Sequence, residues 1–402
     1  MAKKMLGVLY GSRSCEHEVS IITAVQLMRS VSRDRFDVTP IYITQAGEWY
    51  TGDKLLDLAT YNQFDPYKSG LKRVSLDLTA GSGALLHYSP GKTLFRGLTE
   101  EVVARIDCFI PAFHGMHGED GSFQGLLELA DIPYTSTGIV GSAVGMDKIT
   151  MKRFFRGMGY PTLPGIGVLR SRFEKDPDAV LDEAEKELSY PVVVKPATLG
   201  SSIGVSFAGD RAQLLEALEL AFEYDRRVLV EKGLDHPVEI NCSVLGFDGQ
   251  TECSALEMPL SSGEVLDFAK KYLEGNASAK GMASMGRVLN PDIGEETGKR
   301  IRDLSEEIFT ALDCKGVVRI DYMIDRATDQ MYITEINTIP GSMSYYLWEK
   351  AGVSYPELIG RMVDLAEQAH REKEQNNFAY RSDILKAVRL GGTKGKLKTG
   401  KL

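Results

Sequence analysis

Between Arg319 and Gly341 the chain reads RIDYMIDRATDQMYITEINTIPG, and four of its side chains are of the types that handle phosphate and a hard cation. The stretch has the pattern of a β-hairpin: GVVRIDYMID, a polar turn over Arg326 to Gln330, then MYITEIN, closed by Pro340-Gly341. Side chains alternate along a strand, so Arg319 shares a face with Asp321, and Glu335 with Asn337. A register with Ile324 opposite Tyr332 sets Asp321 opposite Glu335 and Arg319 opposite Asn337. That register continues the face through Met323, Ile333 and Met331. Most strand carboxylates sit on solvated faces, yet such a face should not turn to methionine and isoleucine within two positions. Two carboxylates, an amide oxygen and a guanidinium suit an oxygen-ligated cation with phosphate nearby. On spacing alone, the magnesium site and the solvated face both stay open.

These elements need a scaffold. At 402 residues the chain is long enough for a large core and two or three domains. Hydrophobic residues at 43% and charged ones at 26% place it among ordinary globular proteins. A formal charge of −9 argues against nucleic acid as a partner. No apolar run reaches membrane-spanning length, and MLGVLY after Lys3 and Lys4 is too short for a signal-peptide core. Five cysteines without a CxxC pair read as reduced thiols of a cytoplasmic protein, with Cys15 as packing.

KMLGVLYG is a short apolar strand ending in Gly11, and SRSCEHEVSIITAVQLMRSV follows as a loop and a helix. This is how an α/β domain opens, with the loop at the sheet's carboxyl edge, where ligands bind. The loop lacks GxGxxG and offers Glu16, Glu18 and Ser20, whose simpler role is helix capping. VTPIYIT and IDCFIPAF are further strands, and Gly47 to Gly97 reads as a peripheral hairpin and loops. His114-Gly-Met-His117 lacks a third strong ligand at zinc spacing, so His114 is better read as part of a loop meeting anionic substrate. GSAVGMDKITMKRFFRGMGYPTLPG is a helix and then a Pro/Gly-rich link.

In YPVVVKPATLGSSIGVSFA, Lys195 lies near the end of a strand, before a small-residue loop and a second strand. This is no Walker A motif, but the loop's N–H groups and the hydroxyls of Ser201 and Ser202 can close over phosphates, with Lys195 adding charge. The simpler reading is a hairpin turn with a snorkelling lysine. RVLVEKGLDHPVEINCSVLG then gives two strands, with Glu231 and Lys232 at the link and Glu239 beyond it. Backbone and an acidic side chain there can read adenine, while Glu239 can reach a ribose.

The order of lysine, glycine-serine loop, EK link and late RxD…ExN hairpin resembles the ATP-grasp superfamily, and within it the D-alanine–D-alanine ligase family. The motifs are CEHEVS, HGMHGEDGSFQGLLE, MDK, VVVKPATLGSSIGVS, EK, AKKY, RID and EINTIPG, and the resemblance runs from about Leu6 to Leu365 outside Gly47 to Gly97. It implies an α/β (α+β ATP-grasp) architecture. A Rossmann-like substrate-binding domain over 1–147 would precede two ATP-grasp domains over 148–238 and 239–370, with a helix end and disordered basic tail over 371–402. By resemblance Lys148 and Lys195 hold ATP phosphates, Lys232 and Ser202 belong to the nucleotide site, Glu231 lies at adenine, and Glu239 binds ribose. Asp321, Glu335 and Asn337 match Mg²⁺ ligands (Mn²⁺ being an alternative), while Arg319 and the N–H of Gly341 match the pair facing developing oxyanion charge. Glu16 matches the receiver of the first substrate's ammonium, and His114 lies in the substrate loop. Ser201, Lys271 and Tyr272 match a loop-closing set that includes Glu16.

The implied activity is ATP-dependent joining of two D-alanines through an acyl phosphate, for peptidoglycan precursors. Its partners are small molecules, with no nucleic acid or membrane and a homodimer left open. The Gly/Ala/Ser-rich stretch from Ser261 to Val288 suits a lid, although the approach to AKKY is altered to LDFAKKY. Ala387 to Leu402 is basic and acid-free, as expected of a disordered tail. The resemblance breaks after EINTIPG. The family's acceptor-carboxylate serine, five residues past the glycine, corresponds to Tyr346, followed by Leu347. A reshaped acceptor pocket follows, which leaves D-lactate, D-serine or another amine as the rival acceptor. A nucleotide-binding regulatory protein without catalysis is the rival from another class.

Overall fold

The computed structural model describes residues 3–90, 98–260 and 286–380. The apolar run after Lys3 forms β1 (Lys4–Gly11), buried from Leu6 onward. The first half continues with α1 (His17–Ser30), β2 (Phe36–Ile43), β3 (Trp49–Thr51), α2 (Ala59–Asn62), β4 (Lys72–Arg73), β5 (Ser75–Leu76), β6 (Ala84–Pro90), β7 (Leu98–Arg105) and β8 (Cys108–Pro111). The first sheet has the order β4-β3-β2-β1-β8, with β1 parallel to both β2 and β8. Parallel strands feeding α1 put the β1–α1 loop and the segment after β8 at one edge. Over residues 47–90 the chain builds more than the expected hairpin and loops: β3 and β4 extend the first sheet, and β5 and β6 join β7 in another. Strands of two or three residues are too short to show a period.

The segment expected as one helix is two, α4 (Ile139–Met146) and α5 (Lys148–Gly157), following α3 (Ser122–Ala130). Asp147 breaks them: its backbone is extended, and its carboxylate accepts from the N–H of Thr150 at 2.8 Å, starting α5 afresh. Then come β9 (Gly165–Leu169), α6 (Arg170–Lys175), α7 (Pro177–Glu187), β10 (Val192–Pro196), β11 (Ser206–Ala208), α8 (Arg211–Tyr224) and β12 (Arg227–Lys232), with an antiparallel sheet of order β11-β10-β12-β9.

The last antiparallel sheet, β15-β14-β13-β16-β17, is built from β13 (Val238–Phe247), β14 (Gln250–Pro259), β15 (Arg287–Leu289), β16 (Gly316–Ile324) and β17 (Met331–Asn337). Its helices are α9 (Glu295–Ala311), α10 (Tyr345–Lys350) and α11 (Tyr355–Lys373). The apolar face of α9 packs on this sheet through Ile301, Ile308 and Phe309. α11 instead joins the core of the first sheet, where Leu358, Met362 and Val363 meet Leu6, Val8 and Val317. α11 thereby ties the sheet carrying RID…EIN to the opening strand. No helix among the described residues is long and apolar enough to cross a membrane.

Candidate active site

β16 and β17 pair Arg319 with Asn337 and Asp321 with Glu335, as the alternation demands. Beyond them the register differs from expectation. A bulge after Asp321 leaves Thr334 unmatched, so Ile324 faces Met331 and Met323 faces Tyr332. One extra residue turns Ile333 and Met331 to the opposite face, into the core with Tyr322 and Ile324. The apolar continuation of the polar face thus reduces to Met323. Arg319 and Asp321 are nonetheless sheltered, with side chains only 12% and 13% exposed, while Glu335 at 35% reaches the open side. Arg319 donates to both oxygens of Asp321 at 2.7 Å, and Asn337 Nδ2 donates to Oδ2 at 3.0 Å. Burial raises the Asp321 carboxyl to about 6, against the pull of Arg319 and with help from Glu335. Asp321 and Glu335 face each other across the hairpin with the Asn337 amide beside them, and a divalent cation there would relieve the repulsion between the two carboxylates.

A second group forms around Glu16, at the N-terminus of α1. Ser201 Oγ donates to Glu16 Oε1, while Oε2 is buried and has no hydrogen-bond partner among the described residues. A Cβ on Gly115 would stand 2.6 Å from Oε2, and one on Gly200 2.9 Å from Oε1, so both loops need glycine to approach. Burial raises the Glu16 pKa, while Ser201 and then Lys148 oppose the shift. Glu18 is exposed, and Ser20 joins Gly11 N–H to Ala112 O, so neither faces this group.

His114 lies beside Glu16's loop but turns inward, its Nε2 2.8 Å from Thr23 Oγ1. Thr23 Oγ1 also accepts from the N–H of Ser342 at 3.3 Å, so one threonine links His114 to the segment after Gly341. Glu119, in the loop between β8 and α3, accepts from the N–H groups of Gly115 and Ile339 at 2.8 and 3.1 Å. Its burial and the charge of Glu16 push its carboxyl up to about 8. Burial also holds His114 neutral, lowering its pKa from 6.5 to about 4. The unfolded chain therefore takes up this proton first, so the stability is present above pH 6.5 and drains away down to pH 4. The expected contribution is roughly 3 kcal/mol over that window. Thermal melts from pH 7 to 4 should show it, with a flatter profile in His114→Gln.

The lysines come from three elements, α5, β10 and β12. Lys148 opens α5, donates to Leu199 O at 2.7 Å and lies 3.3 Å from Glu335 Oε2. Lys195, near the end of β10, lies 2.5 Å from Glu231 Oε1. The other oxygen of Glu231 meets Lys152 at 2.6 Å, an ion pair without an aligned hydrogen bond. Expected at adenine, the Glu231 carboxylate is instead enclosed by two ammonium groups at 2% side-chain exposure, which leaves the strand's backbone for a base. Lys232 turns its Nζ to Ser189, at 3.0 Å from the carbonyl and 2.7 Å from the hydroxyl. Glu239 stands opposite Met323 on β13, close enough for its charge to raise the pKa of Lys195. Ser202 follows Ser201 in a turn where both have left-handed backbones. Lys271 and Tyr272 lie outside the described residues.

After Gly341, residues Ser342, Met343 and Ser344 form a left-handed turn with φ of 51°, 54° and 50°. Tyr346 is buried behind it, and its hydroxyl donates to Glu257 Oε2 at 3.0 Å. A phenol has one hydrogen, so while this bond holds it cannot donate to a substrate carboxylate. Glu257 also takes Asn241 Nδ2 at 3.1 Å and Arg287 at 2.7 Å, and the Arg287 guanidinium lies 3.9 Å over the Tyr346 ring. Leu347 is wholly buried, one step along α10 from Trp348, so it supports the turn and shows no surface to a ligand. The hydroxyl of Ser342 is bonded to Gln26, and that of Ser344 is buried without a partner among the described residues.

Comparison with known proteins bears on what this arrangement is. The chain matches the family models "D-ala D-ala ligase N-terminus" over residues 5–137 and "D-ala D-ala ligase C-terminus" over 154–364. It is 38% identical over 376 residues to a D-alanine–D-alanine ligase of Acetivibrio thermocellus, covering 92% of this chain and 97% of that one. Among solved structures it resembles the D-alanine–D-alanine ligase of Coxiella burnetii, with a TM-score of 0.76 and 25% identity over 93% of this chain and 97% of that one. It also resembles the VanG D-Ala:D-Ser ligase of Enterococcus faecalis, with a TM-score of 0.73 and 28% identity over 91% of this chain and all of the other. With both halves matched and relatives aligned nearly end to end, the chain belongs to the D-alanine–D-alanine ligase family, with its ATP-grasp fold.

Proposed function

We propose that the chain uses ATP to join two D-alanines into D-alanyl-D-alanine in peptidoglycan precursor synthesis. The observation that carries the reading is Glu16 Oε2, a buried acceptor with no donor among the described residues, in a group that also feels the charges of Lys148 and Glu335. An amino acid's ammonium supplies the donor it lacks. With its ammonium there, the first D-alanine presents its carboxylate toward the lysines and the hairpin. A carboxylate oxygen attacks the γ-phosphorus, the bond to ADP breaks, and an acyl phosphate forms. The amine of the second D-alanine then attacks the carbonyl carbon, loses a proton and expels inorganic phosphate. Lys148 and Lys195 hold phosphate charge, and Arg319 with the N–H of Gly341 faces the oxyanion as it builds. Asp321, Glu335 and Asn337 would hold Mg²⁺, which when bound neutralises phosphate charge. Domains spanning 1–147, 148–238 and 239–370 would provide the amino-acid site and the two walls of the nucleotide site.

A second reading keeps the machinery and changes the acceptor. The Tyr346–Glu257–Arg287 cluster favours it, and one of the structural relatives is a D-Ala:D-Ser ligase. ADP release with D-alanine alone, and product masses with D-alanine plus D-serine, D-lactate or glycine, test both. ADP release with D-alanine and a product of dialanine mass are expected. A chain that binds ATP but releases no ADP with any pair is instead a nucleotide-binding regulator.

A further inference from the structure

Lys148 and Lys152 are four residues apart on α5 and leave the helix on one face, yet they meet different surroundings. The first reaches the hairpin, at Glu335, while the second has a side chain only 3% exposed. Val193 on β10 pairs with Glu231 on β12, so Lys195, two residues on, lies diagonally across the same face. The result is a closed row, Lys152–Glu231–Lys195, whose only partly open member is Lys195 at 16% side-chain exposure.

The charges of this row matter more than its contacts. Glu231 is driven down to about 2 because the ammonium groups of Lys152 and Lys195 outweigh the large opposing effect of burial. For Lys152 burial wins, and its pKa falls despite Glu231. A Lys195–Glu231 pair alone would be neutral, and turning Lys195 toward phosphate would strand a carboxylate out of water. Uncompensated buried charge is strongly unfavourable. With Lys152 on the other oxygen, Glu231 keeps an ion-pair partner when Lys195 turns away.

We propose that Lys152 is a positioning residue for nucleotide phosphates, compensating Glu231 from below so that Lys195 is free to take them. This rests on reading Lys195 as a phosphate ligand, and the experiment separates the two. Binding of ATP and of adenosine to the full chain is measured by calorimetry for the wild type, Lys152→Met, Lys195→Met and the double variant Lys152→Met/Glu231→Gln. Lys152→Met should weaken ATP by roughly 10- to 100-fold, the effect of one charge about 6–12 Å away at an effective dielectric near 20. Adenosine binding and the KM for D-alanine should stay put. The double variant, with Glu231 neutralised, should regain ATP affinity to within several-fold of the wild type, which a merely structural role for Lys152 does not anticipate. Unchanged ATP affinity in Lys152→Met beside a loss in Lys195→Met overturns the proposal, as does a double variant no better than the single. Unchanged affinity in Lys195→Met would fault the phosphate reading instead. If Lys152→Met fails to fold, Lys152→Gln, neutral but able to hydrogen-bond, replaces it in both the single and the double variant.

Discussion

Replacing Glu335 by glutamine should abolish most turnover while leaving the protein folded. Glu335 sits opposite Asp321 across the hairpin, with its side chain 35% exposed and Lys148 3.3 Å away. The amide keeps the shape and removes the charge that a hard cation needs. Losses in related metal sites reach about 10- to 100-fold even for residues one shell outside the ligands, so a ligand should exceed that range. The fold should not suffer, because Glu335 helps to raise the Asp321 carboxyl and its removal relieves that repulsion. Melting temperature should therefore hold or rise slightly. ADP release measured against Mg²⁺ concentration should shift toward higher metal, and Mn²⁺ should behave similarly. Wild-type turnover at ordinary Mg²⁺ would remove Glu335 from the ligand set.

What could be read from the sequence followed periodicity. A strand repeats every two residues, so the facing of Arg319, Asp321, Glu335 and Asn337 was legible before any contact was known. The bulge at Thr334 was not, because one extra residue leaves no mark on composition. Lys152 was equally hidden, since its partner lies on a strand some eighty residues on, and only the fold joins them. A signal did exist: in MDKITMKRFF the second lysine repeats the first at helical spacing, on a helix that buries Ile149, Met151 and Phe155. A lysine on such a face calls for a buried carboxylate. Glu257 and Arg287 lay beyond reach, separated by a stretch without period that includes residues 261–285, outside the described structure. Glu119 was out of reach for a different reason, since its two backbone bonds, to Gly115 and Ile339, join segments that only the fold brings together.

Tyr346→Ser should change both stability and acceptor choice. The ring is buried beneath the Arg287 guanidinium, and its hydroxyl is bonded to Glu257. Truncating a large buried aromatic side chain costs about 3–5 kcal/mol, and Glu257 would lose one of its donors as well. Glu257 would still have Arg287 and Asn241, so the cluster should loosen rather than collapse. Arg319 belongs to the same neighbourhood, since its charge acts on the Tyr346 phenol and Glu257 acts on Arg319. A cavity opened there enlarges the space beside the guanidinium proposed to face the oxyanion. Competition among D-alanine, D-serine, D-lactate and glycine as second substrate should therefore rank differently in Tyr346→Ser and in the wild type. Tyr346→Phe separates volume from hydrogen bonding, since it keeps the ring under Arg287 and deletes only the bond to Glu257. It should lose about 1.5–3 kcal/mol of stability and keep the wild-type ranking. Ser344→Ala tests the other candidate, because that hydroxyl is buried without a partner among the described residues in the turn just before Tyr346. A ranking unmoved by Tyr346→Ser but shifted by Ser344→Ala would transfer acceptor recognition to the left-handed turn and leave Tyr346 as packing.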